Sequence, residues 1–422
     1  MAKFLVGWEL GSERGHIALL EPIVEALRGR GHEVAVAVKD LGALSGSRNG
    51  LRNGRVFQAP VWPTSGPTSG PTPGPQPPGP TSQTLGDDLA AAGLCAEEAV
   101  QLRARAWVDL IDLLGVDAVL AEAAPTLLLA ARTRCPAIAF GTAYGLPPAG
   151  QALPPILDLR RPPTEASAAR EAALCRAFDS ADRSLGGKGL RWFSDLFAVP
   201  AWVCNLKELD PYASLRSVAA PGPLQIRHAD AATPGGRQPA ALGEKVFVYL
   251  KPSPVLPTLM DALAPRCRQL EVFIANAPAD LHNPFPQVTL HRAPIDVPRR
   301  LHEFSAVVHF GGLNLTAEAL FAGVPQLILP HHLEQSATGL AVQQLGVGHC
   351  RLNIPLEHDR EAERLARIAD LVKEFFADAS LPDRAAEFGA ALRARQKPSL
   401  QGLVSLCEEV VARGGDRQRS LN

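Results

Sequence analysis

Residues 307–348 read VVHFGGLNLTAEALFAGVPQLILPHHLEQSATGLAVQQLGVG, and their pattern is the most informative in the chain. An apolar run ends at His309, two glycines follow, and a helix is predicted to begin near Asn314. A second strand, 326–329, is predicted from the apolar residues after Gln326 and leads to Pro330 and another polar loop. Strand, glycine turn, helix and strand in this order are typical of a parallel sheet covered by helices.

The turn after the first of these strands is suited to binding an anion. Gly311 and Gly312 let the backbone approach a ligand closely. Asn314 is a good N-cap, and the free N–H groups at a helix N-terminus attract phosphate or diphosphate. Thr316 adds a hydroxyl donor. An ordinary tight turn explains a glycine pair before a helix equally well, so both interpretations of the pattern stay open.

Three further polar residues suit the rest of a sugar nucleotide. Glu318 can accept hydrogen bonds from a vicinal diol such as a ribose. Glu334 and Gln335, in the loop after Pro330, provide a carboxylate and an amide, the paired acceptors and donors that sugar hydroxyls need. These positions predict a ligand site along the carboxyl edge of the sheet, where open α/β sheets bind their ligands.

This stretch resembles the donor-binding signature of GT-B-fold glycosyltransferases of the UDP-glycosyltransferase type, which include bacterial enzymes that use nucleotide sugars. In bacterial members the signature reads approximately HHGG-x-x-x-T-x-EAL-x-AGVP, then P-x-x-x-DQ. The residues in register with its first part are His309, Gly311, Gly312, Thr316, Glu318, Ala319, Leu320, Gly323, Val324 and Pro325. The resemblance implies that His309 and Thr316 contact the diphosphate and Glu318 the ribose. It also implies that Glu334 and Gln335 contact the transferred sugar.

The chain departs from the signature at several positions. Phe310 stands where the family has a second histidine, and Leu315 stands where it usually has a threonine. Glu334 replaces the aspartate of the Asp-Gln pair. Because glutamate is one methylene longer, we expect the donor sugar to differ or to be shifted.

Two other segments are expected to complete the donor site by the same resemblance. Lys251 and Ser253 follow a predicted strand at the place of a phosphate-contacting turn, although a solvated Lys251 is an equal alternative. The family's frequent aromatic residue near the base is not evident here. Arg292 or the backbone of Ile295 is therefore expected to hold the base.

The beginning of the chain carries a second signature. Gly15 and His16 precede the stretch RGHEV at 30–34, which resembles the family's GH…RGHEV start. The resemblance implies that His16 is the catalytic base, and an imidazole that titrates near ~6.5 can take a hydroxyl proton at neutral pH. Glu122, in DAVLAEAAP, stands where the family has an aspartate, the kind of carboxylate that orients a histidine base. An ordinary loop or cap histidine is the alternative for His16.

Strands and helices alternate along the chain, so we predict an α/β fold with doubly wound parallel sheets. The resemblance implies the GT-B arrangement, in which two Rossmann-like domains face each other across a cleft. The predicted parts are an N-terminal acceptor-binding domain at 1–218 with a mobile Pro/Gly-rich loop at 60–84, a linker at 219–243, a nucleotide-sugar-binding domain at 244–398, and a C-terminal helix at 399–422 that packs back on the first domain.

Two helix boundaries are predicted from single residues. Pro22 is assigned to the first turn of a helix, where a proline is tolerated, and this assignment leaves His16 in the preceding loop. Gly414 and Gly415 are expected to end the last helix, whose apolar stripe begins at Leu400.

Composition argues against several classes of protein. The 422 residues include 42 Lys and Arg against 43 Asp and Glu, so no nucleic-acid partner is expected. No apolar run approaches the ~18 residues of a membrane helix, so we expect a cytoplasmic protein, with peripheral membrane contact as the alternative. The seven cysteines are scattered and the sequence has no D-x-D motif, so neither a disulfide framework nor a metal site is predicted.

Together these features predict a metal-independent hexosyltransferase that moves a sugar, with inversion, from a UDP- or TDP-linked donor to an acceptor hydroxyl. The acceptor is a small natural product or a lipid, and Trp62 and Tyr144 are candidates for lining its pocket. No cofactor is expected besides this co-substrate. The departures from the signature keep open a catalytically degenerate partner protein of the same fold, and a sugar-nucleotide epimerase is a further alternative.

Overall fold

The structure is a computed structural model, and it describes residues 1–11, 14–46, 51, 54–62, 82–226, 240–251, 256–275, 285–293, 295–350 and 361–419. The chain divides into two compact units. The first contains Met1–Gln225 together with Pro398–Asn422, and the second contains Ile226–Lys397. Ser253 and residues 63–81 of the predicted Pro/Gly-rich loop lie outside the described residues.

A parallel sheet of six strands forms the centre of the first unit. In chain order the strands are β1 (Lys3–Trp8), β2 (Glu33–Val38), β3 (Val56–Gln58), β4 (Ala118–Glu122), β5 (Ala137–Gly141) and β6 (Ala201–Val203). They lie side by side in the order β3-β2-β1-β4-β5-β6, which is a doubly wound order. The chain leaves β1 toward one edge and returns at β4 on its other side, so the switch point lies between β1 and β4.

Helices connect these strands, and both faces of the sheet are buried. The helices are α1 (Arg14–Gly29), α2 (Leu85–Ala91), α3 (Glu97–Leu114), α4 (Pro125–Ala131) and α5 (Glu165–Ser184). Neighbouring residues of β1 belong to different apolar clusters: Phe4 packs with Leu20 of α1, whereas Leu5 packs with Trp107 of α3 and Leu127 of α4. Burial on both faces explains why the strands are continuous apolar runs in the sequence.

The second unit repeats this topology with a second parallel sheet. Its strands are β7 (Lys245–Leu250), β8 (Gln269–Ile274), β9 (Val288–His291), β10 (Ala306–His309), β11 (Gln326–Ile328) and β12 (Gly348–Cys350). Their order is β12-β11-β10-β7-β8-β9, which is the order of the first sheet read from the opposite edge. The switch point of this sheet therefore lies between β7 and β10.

The helices of the second unit surround its sheet. They are α6 (Leu256–Leu263), α7 (Val297–Arg300), α8 (Leu313–Ala322), α9 (Leu333–Gln344), α10 (Glu361–Ala377) and α11 (Leu381–Arg395). Ile368 and Phe375 of α10 pack into the apolar cluster that contains Val248 of β7. Within the described part of the chain, no helix is both long enough and apolar enough to cross a bilayer.

The last helix, α12 (Leu400–Arg419), packs in the first unit. Its residues Leu403 and Cys407 are fully buried in the same cluster as Phe4. The indole N–H of Trp202, in β6, donates to the hydroxyl of Ser399 at 3.2 Å. The C-terminal segment thus completes the core around the first sheet.

The two helix boundaries predicted from single residues are wrong. Helix α1 begins at Arg14, so Pro22 lies inside it and His16 lies in its first turn. Helix α12 continues through Gly414 and Gly415 to Arg419. In both cases an amphipathic helix packs against the core, and this packing outweighs the local preferences of proline and glycine.

Several elements were not predicted from the sequence. Strands β3, β6 and β12 are only three residues long, which is too short to show a period in the sequence. Helices α2, α3, α5 and α11 were also missed. The end of the first unit's main segment, Gln225, falls within the stretch 219–243 that was expected to be a linker.

Candidate active site

The switch point of the first sheet brings together two polar residues. Strands β1 and β4 end at Trp8 and Glu122, and these residues are partners across the parallel pairing. His16 follows β1, in the first turn of α1. Because the chain diverges on either side of a switch point, a crevice for ligands forms at the carboxyl ends of the two strands. His16 and Glu122 therefore lie where a ligand site is expected in this unit.

The His16 imidazole is paired with the Glu122 carboxylate. Nδ1 of His16 lies 2.8 Å from Oε2 of Glu122, and the two side chains are 21% and 2% exposed. An ionised carboxylate only accepts hydrogen bonds, so Nδ1 carries the proton and Nε2 keeps its lone pair. The indole of Trp8 stacks on the imidazole with ring centroids 4.9 Å apart, which holds the plane of the ring. This arrangement suits a general base.

Two glycines lie against His16 and Glu122, where a larger residue would take up the space of these side chains. Gly11 has a φ of +88°, and a Cβ at this position would lie 2.1 Å from Nε2 of His16. Lys39, directly after β2, donates to the carbonyl oxygen of Gly11 at 2.6 Å. Gly141, at the end of β5, has a φ of +140°, and a Cβ there would lie 3.0 Å from Oε1 of Glu122. Side chains at these glycines would therefore contact the pair itself.

A buried carboxylate near this site was missed in the sequence. Glu9 directly follows β1 and is fully buried. It accepts hydrogen bonds from the indoles of Trp62 and Trp107, at 3.1 and 2.9 Å, and from the hydroxyl and backbone N–H of Thr126, at 2.6 and 3.2 Å. Burial raises the pKa of Glu9, and these hydrogen bonds partly oppose that shift. In the sequence, the signal for this buried carboxylate is that the charged Glu9 directly follows an apolar strand.

The two side chains predicted to line an acceptor pocket are both buried. Trp62 is 2% exposed, and its N–H is directed to Glu9. Tyr144 is 9% exposed, and its hydroxyl donates to the carboxylate of Asp88. Both side chains therefore have internal hydrogen bonds, and their role toward an acceptor stays a prediction.

Replacing Gly11 with alanine is expected to displace His16 from Glu122, because the added Cβ would overlap Nε2. A positive φ also disfavours alanine, so the variant should lose about 1 kcal/mol of unfolding free energy. Gly31→Ala is the matched control, since Gly31 has a φ of +83° with nothing within 4 Å of the added Cβ.

The measurement is the imidazole NMR spectrum of His16, read beside the free energy of unfolding. Both variants should lose the free energy of unfolding that a positive φ costs alanine, and Gly11→Ala should lose more because of the overlap. Only Gly11→Ala should change the His16 signals. A wild-type His16 spectrum in Gly11→Ala would contradict the steric role of Gly11.

The switch point of the second sheet carries the residues of the donor signature. His309 ends β10, and its strand partner on β7 is Tyr249. Lys251 follows β7, and the glycine turn follows β10. The donor candidates of this unit thus occupy the position that His16 and Glu122 occupy in the first unit.

His309 is buried under the glycine turn, with both ring nitrogens engaged. Nδ1 accepts from the backbone N–H of Gly311 at 3.1 Å, and Nε2 donates to the amide oxygen of Gln326 at 3.0 Å. The amide nitrogen of Gln326 donates to the carbonyl oxygen of Thr316 at 3.3 Å. Burial lowers the pKa of His309 to about 4, so the ring is neutral at neutral pH. The role of Gln326 as a partner of His309 was not predicted from the sequence. Its signal there is an amide side chain at the start of an otherwise apolar strand.

The glycine turn leads directly into α8. Gly311 has a φ of +91°, and a Cβ there would lie 2.9 Å from the carbonyl oxygen of Gln335, so only glycine fits against α9. Gly312 is the N-cap of α8, and its carbonyl oxygen accepts from both the backbone N–H and the hydroxyl of Thr316. The prediction of Asn314 as N-cap is therefore wrong. Asn314 is the exposed second residue of α8, because the helix begins as soon as the chain leaves the turn.

The other donor candidates lie around this turn in different ways. Glu318 is on α8 and half-buried, and Glu334 is the second residue of α9. Gln335 is buried, and its side-chain oxygen accepts from the backbone N–H of His331 at 2.9 Å. Ile295 packs against the apolar cluster of β7 and β10. The contacts with ligand that the resemblance implies for these residues stay predictions.

No metal site is evident in the part of the chain that the structure describes. Among those residues, no three His, Cys, Asp or Glu side chains are grouped so that they could hold an ion. All seven cysteines are free thiols.

Acid is expected to destabilise the second unit through His309. The unfolded chain binds a proton at His309 near its ordinary value of 6.5, whereas the folded chain binds it only near 4. The stability due to neutral His309 is therefore fully present above pH 6.5 and is lost as the pH falls toward 4, by on the order of 3 kcal/mol.

Urea unfolding across this pH range measures the effect. His309→Gln should remove this part of the pH dependence, although it also lowers stability at neutral pH. His302→Gln is the control, because His302 is exposed in the same unit. An equal pH dependence in His309→Gln and wild type would show that another group is responsible.

About a third of the chain, most of it in the second unit, matches a known family of domains. Residues 272–410 match the family model described as Erythromycin biosynthesis protein CIII-like, C-terminal domain. This segment contains the glycine turn, α8 and α9. A search of curated proteins found no match to the chain.

Solved glycosyltransferase structures share the fold over almost the whole chain. The glycotransferase of kitacinnamycin is 18% identical, with a TM-score of 0.62 over 97% of this chain and 99% of that chain. CalG4, the calicheamicin glycosyltransferase, is 17% identical, with a TM-score of 0.62 over 98% of each chain. Spinosyn rhamnosyltransferase SpnG complexed with thymidine diphosphate is 14% identical, with a TM-score of 0.61 over 97% of this chain and 100% of that chain. SpnG complexed with spinosyn aglycone gives a TM-score of 0.61 at 16% identity, with the same coverage.

These comparisons confirm the fold class and the resemblance found in the sequence. The chain has the GT-B glycosyltransferase fold, with two doubly wound parallel sheets. The match at 272–410 covers the donor signature.

Proposed function

We propose that the protein is an inverting glycosyltransferase that moves a sugar from a nucleoside-diphosphate sugar to an acceptor hydroxyl. The observation that carries this proposal is the pair of His16 and Glu122, 2.8 Å apart at the switch point of the first sheet. The GT-B fold and the donor signature around Gly311 and Gly312 support it. No cofactor takes part besides the donor co-substrate.

In this proposal His16 acts on the acceptor. Its Nε2 takes the proton of the acceptor hydroxyl, and Glu122 stabilises the imidazolium that forms. The acceptor oxygen forms a bond to the anomeric carbon while the bond from that carbon to the diphosphate oxygen breaks. The diphosphate leaves with the electron pair, and attack from the opposite face inverts the anomeric centre.

The donor is held by the second unit. The backbone of Gly312 and the N-terminus of α8 attract the diphosphate, because free N–H groups and the helix dipole favour negative charge there. His309 supports the turn from below as a neutral ring. These groups stabilise the charge of the leaving diphosphate without requiring a metal ion.

The structures that share this fold support a TDP-linked donor and an aglycone acceptor. SpnG is known in complex with thymidine diphosphate and with its spinosyn aglycone. We therefore place a TDP-sugar before a UDP-sugar and a small natural product before a lipid. The rival interpretation, a degenerate partner protein, is weakened because Glu122 still reaches His16 despite the replacement of aspartate by glutamate.

Removing the base tests the proposed function. With TDP-glucose as donor and a panel of polyketide aglycones as acceptors, His16→Ala should lower the rate of glycoside formation by at least about 10²-fold. Binding of TDP should remain unchanged, because His16 does not belong to the donor site. Product formation is followed by mass spectrometry.

Asp117→Asn is the matched control for Glu122→Gln. Asp117 lies just before β4, at its opposite end, where its carboxylate accepts from the backbone N–H of Lys3. Glu122→Gln should slow transfer strongly, whereas Asp117→Asn should not. Transfer at the wild-type rate in His16→Ala would overturn the proposed mechanism.

A further inference from the structure

Three neighbouring strands of the second sheet end in a row of two basic side chains and an aromatic ring. Phe310 follows β10, Lys251 follows β7 on one side, and His331 lies in the loop after β11 on the other. The imidazole of His331 packs edge-on against Phe310, with centroids 4.8 Å apart. The ammonium of Lys251 lies 5.8 Å from the centre of the same ring. The row is thus organised around one buried phenyl ring.

His309 cannot supply a positive charge at this edge of the sheet. Its two nitrogens are used by Gly311 and Gln326, and its ring is buried. A diphosphate in front of Gly311 and Gly312 would carry at least two negative charges. Lys251 and His331 are basic, and they follow the two strands on either side of β10, so they can balance such charges.

We propose that His331, together with Lys251, contacts the diphosphate of the nucleotide sugar and takes up a proton when it binds. The proposal rests on the proposed function, since it assigns a further binding residue to the same donor site. His331 is exposed, so its ring can reach a ligand, while Phe310 limits its rotation. Its backbone is held by the hydrogen bond to the side chain of Gln335.

The surroundings of His331 explain why its ring takes up a proton when a diphosphate binds. The pKa of His331 is lowered mainly because neighbouring protein atoms keep water from part of the ring. The positive charges of His332 and Lys251 lower it further. The other charged side chain at this helix start is Glu334, the second residue of α9. A bound diphosphate adds negative charge beside this ring, and this raises the pKa of His331. Binding should then strengthen as the pH falls through the titration range of His331.

Calorimetry of TDP binding to the full chain tests this inference. At about pH 7.5, above the ordinary imidazole value of ~6.5, the binding heat is compared in two buffers with different ionisation enthalpies. The wild type should take up a fraction of a proton on binding. His331→Gln should abolish that uptake and raise the Kd for TDP about tenfold, the cost of one charge-assisted hydrogen bond.

His332→Gln is the matched control, because His332 is exposed, adjacent and of the same type. This variant should keep both the proton uptake and an affinity close to that of the wild type. Thermal unfolding of the unliganded variants checks that each is folded. Lys251→Met should also weaken TDP binding, but without abolishing the proton uptake.

The outcomes separate this inference from the proposed function. If the wild type binds TDP but His331→Gln has the same affinity and the same uptake, the inference is wrong and the donor site stands. Binding by the wild type with no proton uptake also overturns the inference. If neither TDP nor UDP binds to the folded wild type, both the inference and the proposed function fail.

Discussion

Trp8 lies beside Glu122 and Tyr249 lies beside His309, and both candidate sites depend on these two strand pairings. In each sheet the first strand of the unit pairs with the fourth, and the chain leaves these strands toward opposite edges. A buried polar residue ends the fourth strand in both cases. Glu122 uses this position to orient a base, whereas His309 uses it to support a glycine turn. The same topology thus produces two sites of different chemistry.

Glycines adapt each site to the side chain that it contains. In the first unit a Cβ at Gly141 would lie 3.0 Å from Oε1 of Glu122. The glycine therefore leaves room for a carboxylate one methylene longer than the aspartate that the resemblance implies. In the second unit Gly311 lets the turn approach α9 closely, while its N–H fixes the neutral tautomer of His309. The departure at Glu122 is thus accommodated by the neighbouring backbone.

The sequence predicted the sheets and the glycine turn well, because buried parallel strands and a glycine pair before a helix leave strong local patterns. The sequence also predicted that His16 and Glu122 form a pair. This prediction came only from the resemblance, because the two residues are 106 positions apart. The start of α1 and the N-cap at Gly312 were misjudged because tertiary packing outweighs local preference. Glu9 and Gln326 were missed because a polar residue beside an apolar run shows its partners only in the folded chain.

The most direct test of the central claim is the tautomer of His16 in the folded protein. Nitrogen-15 NMR of the imidazole, assigned with His16→Gln, shows which ring nitrogen carries the proton at neutral pH. We expect the proton on Nδ1, shared with Glu122, and an unprotonated Nε2 that can take a proton from an acceptor hydroxyl. A proton on Nε2 in the neutral ring would contradict the role of His16 as the base.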